Sequence, residues 1–113
     1  MRDRTKRFAL RVVKLFRSLP RNEEARVFGR QVLRSGTSVA ANCRAVCRAR
    51  SRAEFIAKLG IVVEEMDETV FWLELFVDAD IVPEARMKSL LAEANELLKI
   101  FSASSRTARS NRG

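Results

Sequence analysis

The chain has 113 residues, 47% hydrophobic and 32% charged, with a formal net charge of +8, four Gly, two Pro, two Cys and no His. That length suits one domain able to bury about two thirds of its unfolded surface without a staple, and so little Gly and Pro favours long helices over a turn-rich β fold. No apolar window of ~18 residues suggests a membrane span, no apolar core near the N-terminus suggests a signal peptide, and two thiols without one read as reduced cysteines in a cytoplasmic protein.

Helix 1 is predicted from about Arg4 to Ser18, with Phe8, Val12, Leu15 and Leu19 as its apolar stripe. Pro20 cannot continue it, and Asn22 is a good N-cap for a second helix whose first turn carries Glu23 and Glu24, where the helix dipole favours negative charge. Helix 2 is predicted to run from Asn22 to about Arg48. Val32, Val39 and Val46 repeat across it, and Gly36 costs ~1 kcal/mol against Ala, too little to break a packed helix. Ser51 and Glu54 form a capping box for helix 3, which extends to about Asp78. Its heptad seam joins Ile56, Val63, Val70 and Val77 with Leu59, Met66 and Leu73. Helix 4 opens at Pro83 and keeps the seam with Met87, Leu90, Ala94, Leu97 and Phe101. Residues 1–105 thus read as one domain, and residues 106–113 as a basic disordered tail. Linkers of a few residues predict an all-α, antiparallel up-down-up-down four-helix bundle.

Charge divides the chain in two. Residues 1–52 carry 15 Lys and Arg against 3 acids, a net +12, while residues 53–105 carry 4 against 11, a net −7. Such a chain suits nucleic acid on one surface, or copies meeting basic half to acidic half. Arg26, Arg30, Arg34, Arg44 and Arg48 fall within an arc of about 80° on helix 2, and Arg4, Arg7, Arg11 and Lys14 form a similar row on helix 1. Beyond Glu24, helix 2 offers no acid to pair with its arginines, so a partner is the more economical account. Phosphates are one candidate, since the guanidinium fork suits them. Stacking on single-stranded bases is unsupported, because no aromatics interleave the arginines.

The other candidate is a second copy. Opposite its seam, helix 3 has a semi-apolar face of Ile61, Glu65, Glu68, Trp72 and Leu75. A helix apolar on two sides is buried on two sides, so a neighbouring chain should cover this one, with Trp72 as its anchor. On helix 2, Gly29, Gly36, Ala40, Cys43 and Cys47 line a face of small residues that lets a neighbouring backbone come close. Both cysteines read as core residues. Two thiolates without histidine are half a zinc site, so no metal or cofactor is expected. Without histidine no Ser–His or Cys–His pair exists either, and the protein reads as non-enzymatic.

The stretches "RQVLRSGTSVAANCRA", "RSRAEFIAKLG" and "EEMDETVFWLEL" resemble the bacterial four-helix-bundle family of proteins encoded within ribosomal RNA intervening sequences. The accessory variability protein of diversity-generating retroelements is a distant relative of that family. Gln31, Arg34, Ser38, Val39 and Asn42 carry the likeness most specifically, followed by Ser51, Glu54, Phe55 and Lys58, then Gly60, Glu64 or Glu65, and Glu68. The resemblance implies a protomer that assembles head to tail into a homopentameric ring. In the retroelement branch it also implies a basic surface that engages nucleic acid and a reverse transcriptase. Where many members read "PANIAEG", this chain reads "AANCRAV", without the Pro and the acid and with an added arginine. The leading expectation is a homo-oligomeric bundle whose helix 1 and helix 2 surface binds RNA or DNA. The alternative is an assembly or scaffold protein whose arginines serve only subunit contacts.

Overall fold

In a computed structural model that describes residues 1–111, the chain forms four helices and no strand among those residues. They are α1 (Arg2–Ser18), α2 (Glu23–Cys47), α3 (Arg52–Asp78) and α4 (Glu84–Ser110). Local chemistry sets most of the boundaries. Leu19, held extended ahead of Pro20, ends α1. The Asn22 side chain accepts a hydrogen bond from the Ala25 amide at 2.9 Å and starts α2. Ser51 does the same for α3, accepting from the Glu54 amide at 3.1 Å. The return bond that would complete a capping box, from the Ser51 amide to the Glu54 carboxylate, does not form among the described residues.

The turn after α3 closes as a Schellman motif. The Ile81 amide reaches back to the Phe76 carbonyl at 2.9 Å and the Asp80 amide to Val77 at 3.0 Å. Asp80 takes the left-handed position with φ 59°, which a short polar side chain tolerates better than most. The turn carries Val82 into the core, where it is 2% exposed.

Packing follows sequence order: α2 lies against α1 and α3, α4 lies against α3, and α1 meets α4 along a slighter seam. The body measures 50 × 21 × 19 Å. Phe8, Val12 and Leu15 of α1 are buried, as are Met87, Leu90, Ala94, Leu97 and Phe101 of α4. In α3 the buried line differs from the predicted one. Leu59, Met66, Val70 and Leu73 are buried, but Ile56, Val63 and Val77 are only half-buried, and Val62, Thr69 and Phe76 hold fully enclosed positions instead. A straight helix drifts ~20° per heptad against a strict seven-residue repeat, and α3 packs on both α2 and α4, so its buried stripe is wider than one seam.

The small-residue face of α2 does bring α1 close. A Cβ built on Gly36 would lie 3.0 Å from Val12 Cγ2, and one on Gly29 would lie 2.8 Å from Leu19 Cδ1. Cys43 belongs to this packing at 4% exposure. Cys47 does not: it is the last residue of α2 and stands exposed, past the end of the core. Between α2 and α3, the buried hydroxyls of Ser35 and Thr69 share a hydrogen bond of 2.8 Å.

Residues 106–110, predicted as tail, continue α4 as helix. The Arg52 guanidinium donates to the Ala108 carbonyl at 3.0 Å, and Ala108 packs on the core, so the last turns are held. Arg112 and Gly113 lie outside the described residues.

Candidate nucleic-acid interface

The predicted arginine rows do not act as single surfaces, because tertiary packing gives several members protein partners. Arg34 bonds Glu65 at 3.2 Å and also pairs with Glu68, both on α3. Glu68 in turn accepts from Trp72 Nε1 at 3.2 Å. The acids that α2 lacks are supplied by its neighbour.

Arg4 forks onto Glu93 at 2.9 and 2.8 Å and reaches Glu96 at 3.0 Å, tying α1 to α4. These bonds hold the Glu93 carboxyl below its ordinary value of 4.5, against the opposing effect of its partial burial, and raise the pKa of Arg4. Arg11 donates to Ser89 at 2.9 Å and, with Lys14 and Arg86, borders a hollow between α1 and α4. Arg7 and Arg30 are exposed. Arg26 lies in another hollow with Arg17 and Arg21, beside the α1–α2 turn.

Arg44 and Arg48 are placed differently. Arg44 shares a hollow of about 430 Å³ with Arg2 and Lys6 of α1, over a floor of Ala40 and Ala41. Ala41 and Arg44 also line a second hollow of about 670 Å³, with Arg48, Arg50 and Lys58. The two hollows therefore join into one basic surface. It spans the start of α1, the end of α2, the α2–α3 turn and the first turns of α3. Six cations surround it against two acids, Asp3 and Glu54. None of the six makes an ion pair among the described residues, whose bridges involve only Arg4 and Arg34 as cations. Alanines 40, 41 and 45 leave the α2 backbone open to close approach.

Helical periodicity places Arg44 and Arg48 on a basic face, and packing brings Arg2, Lys6, Arg50 and Lys58 beside them. One signal was available: a link of only a few residues between α2 and α3 keeps Arg48, Arg50 and Lys58 close together. The apposition of the α1 start has no such local signal.

The face of α3 expected to meet a neighbour is partly covered within the chain. Glu65 and Glu68 are held by Arg34, and Trp72 is half-buried, its ring centroid 5.7 Å from that of Phe28. Phe71, beside it, is 53% exposed, while Ile61 is 37% exposed and Leu75 half-buried. Among the described residues no three His, Cys, Asp or Glu side chains gather as a metal site. No helix among them is long and apolar enough to cross a membrane.

This all-helical fold with one strongly basic end is that of a small four-helix protein. Residues 1–103 match the model of the 23S rRNA-intervening sequence protein family, and the chain belongs to that family. It is similar to a crystallised Bacteroides thetaiotaomicron VPI-5482 protein of the S23 ribosomal protein family, whose function is unknown. The two are 36% identical over 92% of this chain and 96% of that one, with a TM-score of 0.85. No curated protein matches the chain.

Proposed function

We propose that this protein is a non-enzymatic, self-associating up-down-up-down bundle that binds the phosphate backbone of RNA or DNA through its basic end. The observation that carries the reading is the joined surface of Arg2, Lys6, Arg44, Arg48, Arg50 and Lys58, whose charges have no ion-pair partner among the described residues. Like charges gathered this closely repel one another, and a polyanion relieves the repulsion. Arg44 and Arg48 stand one turn apart, ~6 Å along the helix, so two phosphates of one strand can be met by one face. The four chain segments meeting at this end support the alternating helix direction. The family resemblance supports assembly as a ring of five.

Fluorescence anisotropy with labelled RNA and DNA over a range of salt tests the reading. Each phosphate contact contributes about 0.9 to the slope of log affinity against log salt on duplex DNA. Changing Arg44 and Arg48 together to Gln should therefore weaken binding and flatten the slope by about 2. Sequence preference should hardly change. Changing Arg34, already paired to Glu65 and Glu68, should do much less. A wild type that binds neither RNA nor DNA at low salt would refute nucleic-acid binding. It would favour the second reading, a scaffold whose cations serve only subunit contacts; exposed Phe71 on α3 is the observation favouring that one.

A further inference from the structure

The two most exposed large hydrophobic side chains lie on different helices and different sides of the protein. Leu10 of α1 is 57% exposed and Phe71 of α3 is 53% exposed. Each belongs to a stripe. On α1, Leu10, Val13 and Arg17 follow at helical spacing on the side turned away from buried Phe8, Val12 and Leu15, with Lys14 beside them. On α3, Ile61, Phe71 and Leu75 follow on the side turned away from buried Leu59, Met66 and Leu73, with exposed Glu64, Glu74 and Asp78 along the stripe. Neither the α1 cations Lys14 and Arg17 nor those three carboxylates make an ion pair among the described residues.

We infer that the outer stripe of α1 on one copy seats on the outer stripe of α3 on a second copy. Three features match. Each stripe carries a strongly exposed apolar side chain, Leu10 on α1 and Phe71 on α3, with half-buried Val13 and Leu75 and exposed Ile61 beside them. Their rims are opposite in charge, cations on α1 and carboxylates on α3. The stripe runs about two turns on α1 and about four on α3, so one can lie along the other as a ridge in a groove. Glu65 and Glu68 stay with Arg34 of their own chain and frame the α3 stripe on its α2 side, while Phe71 supplies the protruding aromatic. Because the two surfaces differ, the contact is heterologous, and it closes into a ring when the rotation per copy allows. Lys6 and Arg2 continue this face of α1 about one and two turns beyond Leu10, so the apolar part of the stripe ends before the basic end begins. This inference rests on the self-association proposed above and names the surfaces that perform it.

The test uses two single variants of the full chain, Leu10→Asp and Phe71→Asp, measured by light scattering coupled to size exclusion. Circular dichroism monitors the helices, since both side chains project outward. The wild type should be an oligomer and each variant alone a monomer of unchanged helicity. An equimolar mixture should give a dimer and nothing larger: Leu10→Asp keeps its α3 stripe, Phe71→Asp keeps its α1 stripe, and one intact contact remains. Mere loss of stability in the variants would not produce that dimer. An oligomeric wild type whose variants assemble unchanged, or whose monomeric variants fail to pair on mixing, overturns the α1-to-α3 contact while self-association stands. A monomeric wild type overturns self-association itself and leaves the two stripes to another kind of partner.

Discussion

Gly36 of α2 faces Val12 of α1, and an alanine placed there sets two effects against each other. Alanine is favoured over glycine inside a helix by ~1 kcal/mol. Against that, the new methyl would lie 3.0, 3.1 and 3.3 Å from Val12 Cγ2, Cγ1 and Cβ, where carbon atoms prefer about 3.5–4.0 Å. Val12 has no exposed surface, and its branched side chain is stiff at χ1, so it has little room to turn aside. The helices must then part by a few tenths of an ångström, and overpacking of this kind costs ~1–3 kcal/mol. The net expectation for Gly36→Ala is a loss of about 1 kcal/mol.

Gly29 is the internal control. Its new methyl would meet Leu19 Cδ1 at 2.8 Å and the Phe16 ring at 3.2 and 3.4 Å, both the far ends of half-buried side chains at the end of α1. Neither is enclosed as Val12 is, so both can swing away, and Gly29→Ala should be neutral or stabilising by up to ~1 kcal/mol. Urea unfolding, with protein concentration held constant because assembly adds to apparent stability, should separate the two variants by about 1–2 kcal/mol. Val12→Ala should also cost less in the Gly36→Ala background than in the wild type, since it opens the needed space. If Gly36→Ala proves as stable as Gly29→Ala, α1 and α2 are not in the close contact described.

Two further predictions concern polar contacts. Thr69→Val should cost ~1–2 kcal/mol, because the buried Ser35 hydroxyl would keep only a 3.4 Å approach to the Val32 carbonyl. Adding Ser35→Ala should then cost less than it does alone, and an additive double-mutant cycle would show that the two hydroxyls do not act together. Arg4→Gln should lower stability slightly at neutral pH through loss of the fork to Glu93 and Glu96. The folded-state pKa of Glu93 is depressed below 4.5, so its contribution is complete above that value and fades as pH falls through the lower folded value. Wild type and variant should therefore converge in acid, and a stability gap that persists there would exclude the ion pair as its cause.

The number of helices, their limits to within a few residues and most of the core were legible because they depend on local chemistry. Asn22 and Ser51 cap whatever helix follows them, Pro20 stops whatever precedes it, and the period of Met87, Leu90, Ala94, Leu97 and Phe101 marks one face without reference to any neighbour. The end of α4 was not legible. Its last turns are polar, and they are held by a bond from Arg52, 56 residues away in sequence. The fate of the charges was equally non-local. Arg34 and Arg44 lie on the same helix with no acid nearby in sequence, yet the first folds onto Glu65 and Glu68 while the second opens onto Arg2 and Lys6. Periodicity tells which side of a helix a residue occupies, but the neighbour lying on that side is decided by packing. A charged side chain takes its role from that neighbour, so the sequence determined the bundle and its two-signed charge, and the tertiary structure decided which cations remain for a ligand.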